Sequence, residues 1–182
     1  SLGSLTHIAT QTASSSASIS FTSGIDSTYK EYIFYFVNMH PASQNPNFAF
    51  NLSIDSGSNY NVSKTTTYFR TQHGESGSGA ELGYETGLDL ANGTSIQKIS
   101  KEAGNDNDQG VSGHFHLFNP SSTTFVKHFI CQTNNNFKYS EPYAYSNYIA
   151  GYGNTTSAVD AIQFSFSSGN IDSGQILLFG LN

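Results

Sequence analysis

The sequence predicts an all-β protein, a jelly-roll-like antiparallel β-sandwich of about ten short strands. Three observations carry that reading. No stretch of about ten residues places apolar side chains at i, i+3, i+4 and i+7, the signature of an amphipathic helix. Aromatic residues reach 14% (14 Phe, 11 Tyr) while charged residues are only 11%, so the chain can build a core without a charged shell. Clusters of Gly, Asn, Ser, Asp and Pro recur at the short intervals that separate strands in sandwiches. Low hydrophobicity (36%) accompanies disorder only where aromatics are few and net charge is high, and here the aromatics are many.

Taken in order, the candidate strands are "SLTHIAT", "SASISFT", "KEYIFYFVNMH", "NFAFNLSID", "KTTTYFRTQ", "GTSIQKIS", "SGHFHLFNP", "TTFVKHFICQ", "YAYSNYIAGY", "AVDAIQFSFSS" and "GQILLFGLN". Several alternate cleanly between a dry face and a wet one. Ile162, Phe164 and Phe166 oppose Gln163, Ser165 and Ser167, and Ile19 and Phe21 oppose Ser18 and Ser20. Each such Phe or Ile contributes roughly 1.5–3 kcal/mol when buried.

Two strands break the alternation. Residues 31–39 place Tyr32, Phe34 and Phe36 on one face and Ile33, Tyr35, Val37 and Met39 on the other. Residues 175–181 set Ile176 and Leu178 against Leu177, Phe179 and Leu181. A strand apolar on both faces is covered on both. With no helices to serve as a lid, the sequence assigns one cover to a second sheet and the other to another subunit. The segments 72–87 and 101–110 carry little pattern and are expected as loops at one end of the sandwich, where binding surfaces concentrate.

At 182 residues the chain suits a single domain spanning 1–182. It lacks a starting Met and a signal peptide, which is the look of a processed chain or a piece of a longer one. A net charge of −6, with seven Lys and Arg spread singly from Lys30 to Lys138, argues against a nucleic-acid partner. No apolar run approaches the ~18 residues of a membrane span. The single cysteine, Cys131, has no internal disulfide partner and reads as a buried thiol.

Candidate chemistry is sparse. His114 and His116 point the same way from one strand, a spacing that suits a metal, but a site needs a third or fourth ligand; His128 and Asp160 are only generic candidates, and no metal or cofactor is assigned. Glu75, Glu81, Glu85, Asp89, Asp106 and Asp108 supply carboxylates for glycoside cleavage, yet loop spacing does not fix their separation. No nucleophile elbow, phosphate-cradling loop or dinucleotide fingerprint is present, and no catalytic residue is assigned. Sequons at Asn51, Asn61, Asn92 and Asn154 are what an Asn-, Ser- and Thr-rich composition produces by chance. The run "KYSEPYAYSNYIAGYG" says more: Tyr139, Tyr143, Tyr145 and Tyr148, with Tyr152 beyond them, present flat amphipathic rings suited to sugar stacking or protein contact, and the first four are the predicted binding residues.

Four stretches carry a family resemblance: "ASISFTSGIDSTYKEYIFYFVNMHPAS", "LSIDSGSNYN", "GHFHLFNPSSTTFVKHF" and "TTSAVDAIQFSFSSGNIDSGQILLFGLN". Their order resembles a domain recurrent in structural and tail-fibre-like proteins of tailed phages, marine ones especially. The motifs belong to strands and turns, and Phe179 stands where that group usually has Tyr. The resemblance implies a non-enzymatic, oligomeric virion component, expected as a trimer on the particle surface, binding a host glycan or a neighbouring virion protein. A capsid decoration protein is the alternative, and a β-sandwich polysaccharide depolymerase or metal-dependent hydrolase a further one.

Overall fold

A computed structural model describes residues 4–138 and 141–182. It holds twelve strands and, among the described residues, no helix: β1 (Thr6–Thr12), β2 (Ile19–Phe21), β3 (Glu31–Pro41), β4 (Phe48–Ser53), β5 (Lys64–Gly74), β6 (Glu81–Tyr84), β7 (Gln97–Lys98), β8 (Val111–Phe118), β9 (Lys127–Lys138), β10 (Pro142–Gly153), β11 (Ala161–Phe166) and β12 (Ile171–Leu181). An eight-stranded antiparallel sheet, β1-β12-β3-β8-β9-β10-β5-β6, faces a four-stranded one, β2-β11-β4-β7.

The all-β sandwich is therefore as predicted, and the connectivity explains its detail. β1-β12-β3-β8 opposed to β2-β11-β4-β7 is the two-Greek-key order of a jelly roll. Two hairpins are inserted into it: β5–β6 between β4 and β7, and β9–β10 between β8 and β11. Both join the larger sheet, where β10 pairs with β5 along its length from Tyr143↔Gly74 to Gly153↔Lys64. The larger sheet thus extends well past the smaller one.

The sandwich core is aromatic. Phe164 of β11 meets Phe34 and Phe36 of β3 at ring-centroid distances of 5.4 and 5.1 Å, and Phe50 meets Phe115 at 4.6 Å, mostly in the edge-to-face geometry that ring quadrupoles favour. Asp26 organises the corner before β3. Its Oδ1 accepts the Thr28 N–H at 2.8 Å, and the Tyr32 hydroxyl donates to its carbonyl at 2.9 Å. The neighbouring Tyr29 ring lies over Gly180, where any Cβ would overlap it. The Ile-Asp-x-x-Tyr turn and the Gly of the closing strand are parts of one packing arrangement.

Three expectations are corrected. The segment 72–87 is not a plain loop: β5 runs on to Gly74, and Glu81–Tyr84 form β6, paired to β5 from Phe69↔Tyr84 to Gln72↔Glu81. Met39 does not share a face with Ile33, Tyr35 and Val37. Asn38 takes a positive φ of 49°, the register against β8 shifts between Phe36 and Met39, and Met39 turns into the core. The strands are also not uniformly short, since β9 and β10 have 12 residues each.

Candidate functional site

The inner face of the β9-β10-β5 extension meets the smaller sheet at its root, where Phe129 lies 5.1 Å from Phe50 and the Lys64 ammonium donates to Asn51. Beyond that it is covered by residues from the 85–110 segment, and the contact is largely polar. The Tyr68 hydroxyl donates to Asn147 Oδ1 at 2.8 Å, and Asn147 Nδ2 donates to Asn135 Oδ1 at 2.8 Å. Asn135 Nδ2 reaches the Lys101 carbonyl at 2.9 Å, and the Thr66 hydroxyl donates to Gln97 Oε1 at 2.7 Å. Arg70 bonds Glu85 and Gln72 and lies 4.9 Å from the centroid of Tyr145, while Lys101 joins Glu85 at 3.1 Å. These groups are buried and satisfied, as buried polar groups must be.

The outer face of the same sheet has the opposite character. Pairing registers define two rows of side chains across it. One runs Thr10, Leu177, Tyr35, His114, Gln132, Tyr148, Phe69, Tyr84; the other runs His7, Phe179, Ile33, His116, Ile130, Ala150, Thr67. Ile130 is 52% exposed, Phe69 and Val37 each 43%, and Tyr35 36%. Phe69 and Tyr148 stack in parallel, 5.0 Å between centroids and 9° between planes. Two adjoining hollows, of about 380 and 240 Å³, share Thr67, Ile130 and Ala150. Tyr152 and His128 border the first; Phe69, Tyr148 and His114 border the second. At the edge of the face a polar recess of about 640 Å³ lies among Asn38, His40, Asp108, Ser112, Asn134 and Asn136.

The second faces of residues 31–39 and 175–181 belong to this surface. Ile33 is 5% exposed, whereas Leu177, Phe179 and Leu181 are half-buried and Tyr35 and Val37 open. Within one chain these strands are neither enclosed on their second face nor bare.

The predicted tyrosines do not form one platform. Tyr139 lies outside the described residues. Tyr143 and Tyr145 face inward: Tyr145 is 6% exposed, stacked on Phe137 at 5.8 Å beneath Arg70, and burial raises its phenol pKa. Tyr148 faces outward. The residues that accompany it, Phe69, Ile130, Tyr35 and Tyr84, come from four other strands. Sequence reasoning missed them because face sharing across non-sequential strands depends on the strand order, and only Tyr35 sat in a strand already read as two-faced.

The other candidates have local roles. The His114 and His116 rings lie 5.0 Å apart, edge to face; His116 Nδ1 contacts Glu31 Oε1, and His114 Nδ1 is buried without a hydrogen-bond partner. Burial first, and then the neighbouring His116, lower the His114 pKa. Among the described residues no cluster of three or more His, Cys, Asp or Glu is arranged to hold a metal ion. Asp160 is occupied as a turn lock, its Oδ1 accepting the Ser56 N–H at 2.9 Å. Glu81 and Glu85 both serve Arg70, and Asp89 accepts the Tyr84 hydroxyl at 2.7 Å. Cys131 lies in the core, its thiol pKa pushed up by burial, which opposes nucleophilic use. No family model matches this chain, and no curated protein or solved structure matches it either.

Proposed function

We propose that this chain is a non-catalytic structural module of a tailed-phage particle, working by surface contact with other protein chains of that particle. One observation carries the contact role: along β9, β10 and β5 the outer face presents Ile130, Tyr148 and Phe69, while Asn135, Asn147 and Tyr68 of the same strands are buried and hydrogen-bonded on the inner side. A sheet that served only to close a monomer would reverse that polarity, because antiparallel sheets normally turn their polar side to water. The particle assignment rests on the strand-and-turn motifs that resemble tailed-phage structural domains. The test is to search purified particles for the chain by mass spectrometry and locate it by antibody labelling. Stoichiometric recovery with labelling at the tail or head surface supports the reading; particles that lack the chain overturn it.

A host glycan is the alternative occupant of this face, with Gln132, His114, His128, Tyr148 and Tyr152 as its polar lining. Sugar recognition needs several convergent hydrogen-bonding groups besides a stacking ring. Around the two hollows the polar side chains of Thr65 and Thr67 are already engaged, by the Asn92 N–H at 3.0 Å and with the Ala150 carbonyl at 3.4 Å.

A further inference from the structure

We infer that the outer face of the eight-stranded sheet is buried against the same face of a second copy of this chain, the two related by a two-fold axis. The inference rests on the contact role read for this face but not on the particle assignment, since it concerns the purified protein alone.

Charge points to a like partner. The two central rows contain no Asp, Glu, Lys or Arg, and Glu31, at their margin, is engaged by His116. The chain carries a net charge of −6, and none of it sits in these two rows. Two copies can therefore meet here without like-charge repulsion. An acidic or basic partner finds no counter-charge.

Area points the same way. Eight strands at about 4.8 Å spacing, with about three outward residues along each, give a face of roughly 38 by 20 Å, or about 750 Å². A stable interface buries about 800 Å² on each partner. The relief is also self-complementary in kind. Ile130 and Phe69 stand up as ridges beside the low floor of Ala150 and Gly151, and in face-to-face sheet packing side chains of one layer enter the gaps of the other about 10 Å away. A two-fold pairing uses one patch twice and closes.

The experiment is sedimentation velocity of the purified full chain at about pH 8. Ile130→Lys and Phe69→Lys place a charge in the band at exposed positions, with far-UV circular dichroism to verify folding. Ile54→Lys, at an exposed apolar residue in the turn after β4, is the control. A two-chain mass is expected for the native protein and the control. Each band variant should weaken association by about 10²–10³-fold, the consequence of an unpaired charge in a closed interface. A native protein that stays a single chain at submillimolar concentration overturns the inference. So does a three-chain particle, or a dimer that both band variants leave intact. Neutral glycans binding the native monomer but not Ile130→Lys would reassign the face to a carbohydrate and equally overturn it.

Discussion

Lys64 is fully buried at the start of β5 with no carboxylate beside it, and its replacement by Met should remove a pH dependence of folding. Its ammonium donates to Asn51 Oδ1 at 2.5 Å and to the Val62 carbonyl at 2.8 Å. Burial lowers its pKa from 10.5 to about 8. The unfolded chain therefore binds more protons than the folded one between those values, and stability rises with pH across that window. Below about pH 8 the buried charge costs the full difference, about 3 kcal/mol at about 1.4 kcal/mol per tenfold change in proton affinity. Between about pH 7.5 and about pH 9.5 roughly 2 kcal/mol of that cost is relieved. Tyr68, whose phenol pKa burial raises, loses stability only above about pH 10 and stays outside the window. Urea unfolding followed by circular dichroism, on the native protein and Lys64→Met at both pH values, reads the effect. The native-minus-variant difference in unfolding free energy should grow by about 2 kcal/mol in favour of the native protein at the higher pH. An unchanged difference would refute the assignment of a buried, destabilising charge to Lys64.

The polar layer under the extension acts as a unit. Tyr68→Phe and Asn147→Ala should each destabilise, and their double-mutant cycle should show about 1–3 kcal/mol of coupling, against near zero if the hydroxyl and amide were independent. Phe164→Ala empties the centre of the aromatic core and should cost about 3–5 kcal/mol in denaturant unfolding. Gly180→Ala drives a methyl into the Tyr29 ring and should cost about 1–3 kcal/mol, a loss that Tyr29→Ala in the same chain should partly relieve. Cys131 should resist thiol reagents in the native state and react at once on unfolding, its thiol being enclosed and its pKa raised.

The strands with one dry face were legible because alternation is a property of consecutive residues. Phe164 and Ile162 could be placed in the core from "AIQFSF" alone, and they are there. Two-faced strands were legible for the same reason, as Tyr35 and Leu177 illustrate. Met39 was not, because one positive-φ residue, Asn38, shifts the parity of everything after it. β6 escaped because "ELGY" is too short to alternate and its partner on β5 lies across a Gly- and Ser-rich turn. The tyrosine run was read as a set of binding residues, and strand parity sends Tyr145 inward and Tyr148 outward. Phe69 and Ile130 as companions of Tyr148 required the order β9-β10-β5, which arises from two insertions made at distant points of the chain.

Those insertions bear on why the open face exists. The jelly-roll strands alone close a sandwich, with Phe34, Phe115 and Phe164 filling it. β5–β6 and β9–β10 add Tyr68, Phe129, Cys131 and Ile149 to that core, and the rest of their inner side is held largely by amides and hydroxyls, whose net contribution is only about 1 kcal/mol per hydrogen bond. Two fully buried lysines sit where the added strands leave the sandwich: Lys64 and Lys127 both pair with Gly153 from opposite sides, and Lys127 donates to the Phe125 and Thr155 carbonyls at 2.6 and 3.2 Å. Burial lowers both pKa values, so the root of the extension is a locus of cost rather than of gain. Above that costly base the outer side leaves Ile130, Phe69 and Tyr35 open and Tyr148 half-buried within one chain. Under the proposed pairing, removing that outer surface from water supplies a free-energy gain that the single chain lacks.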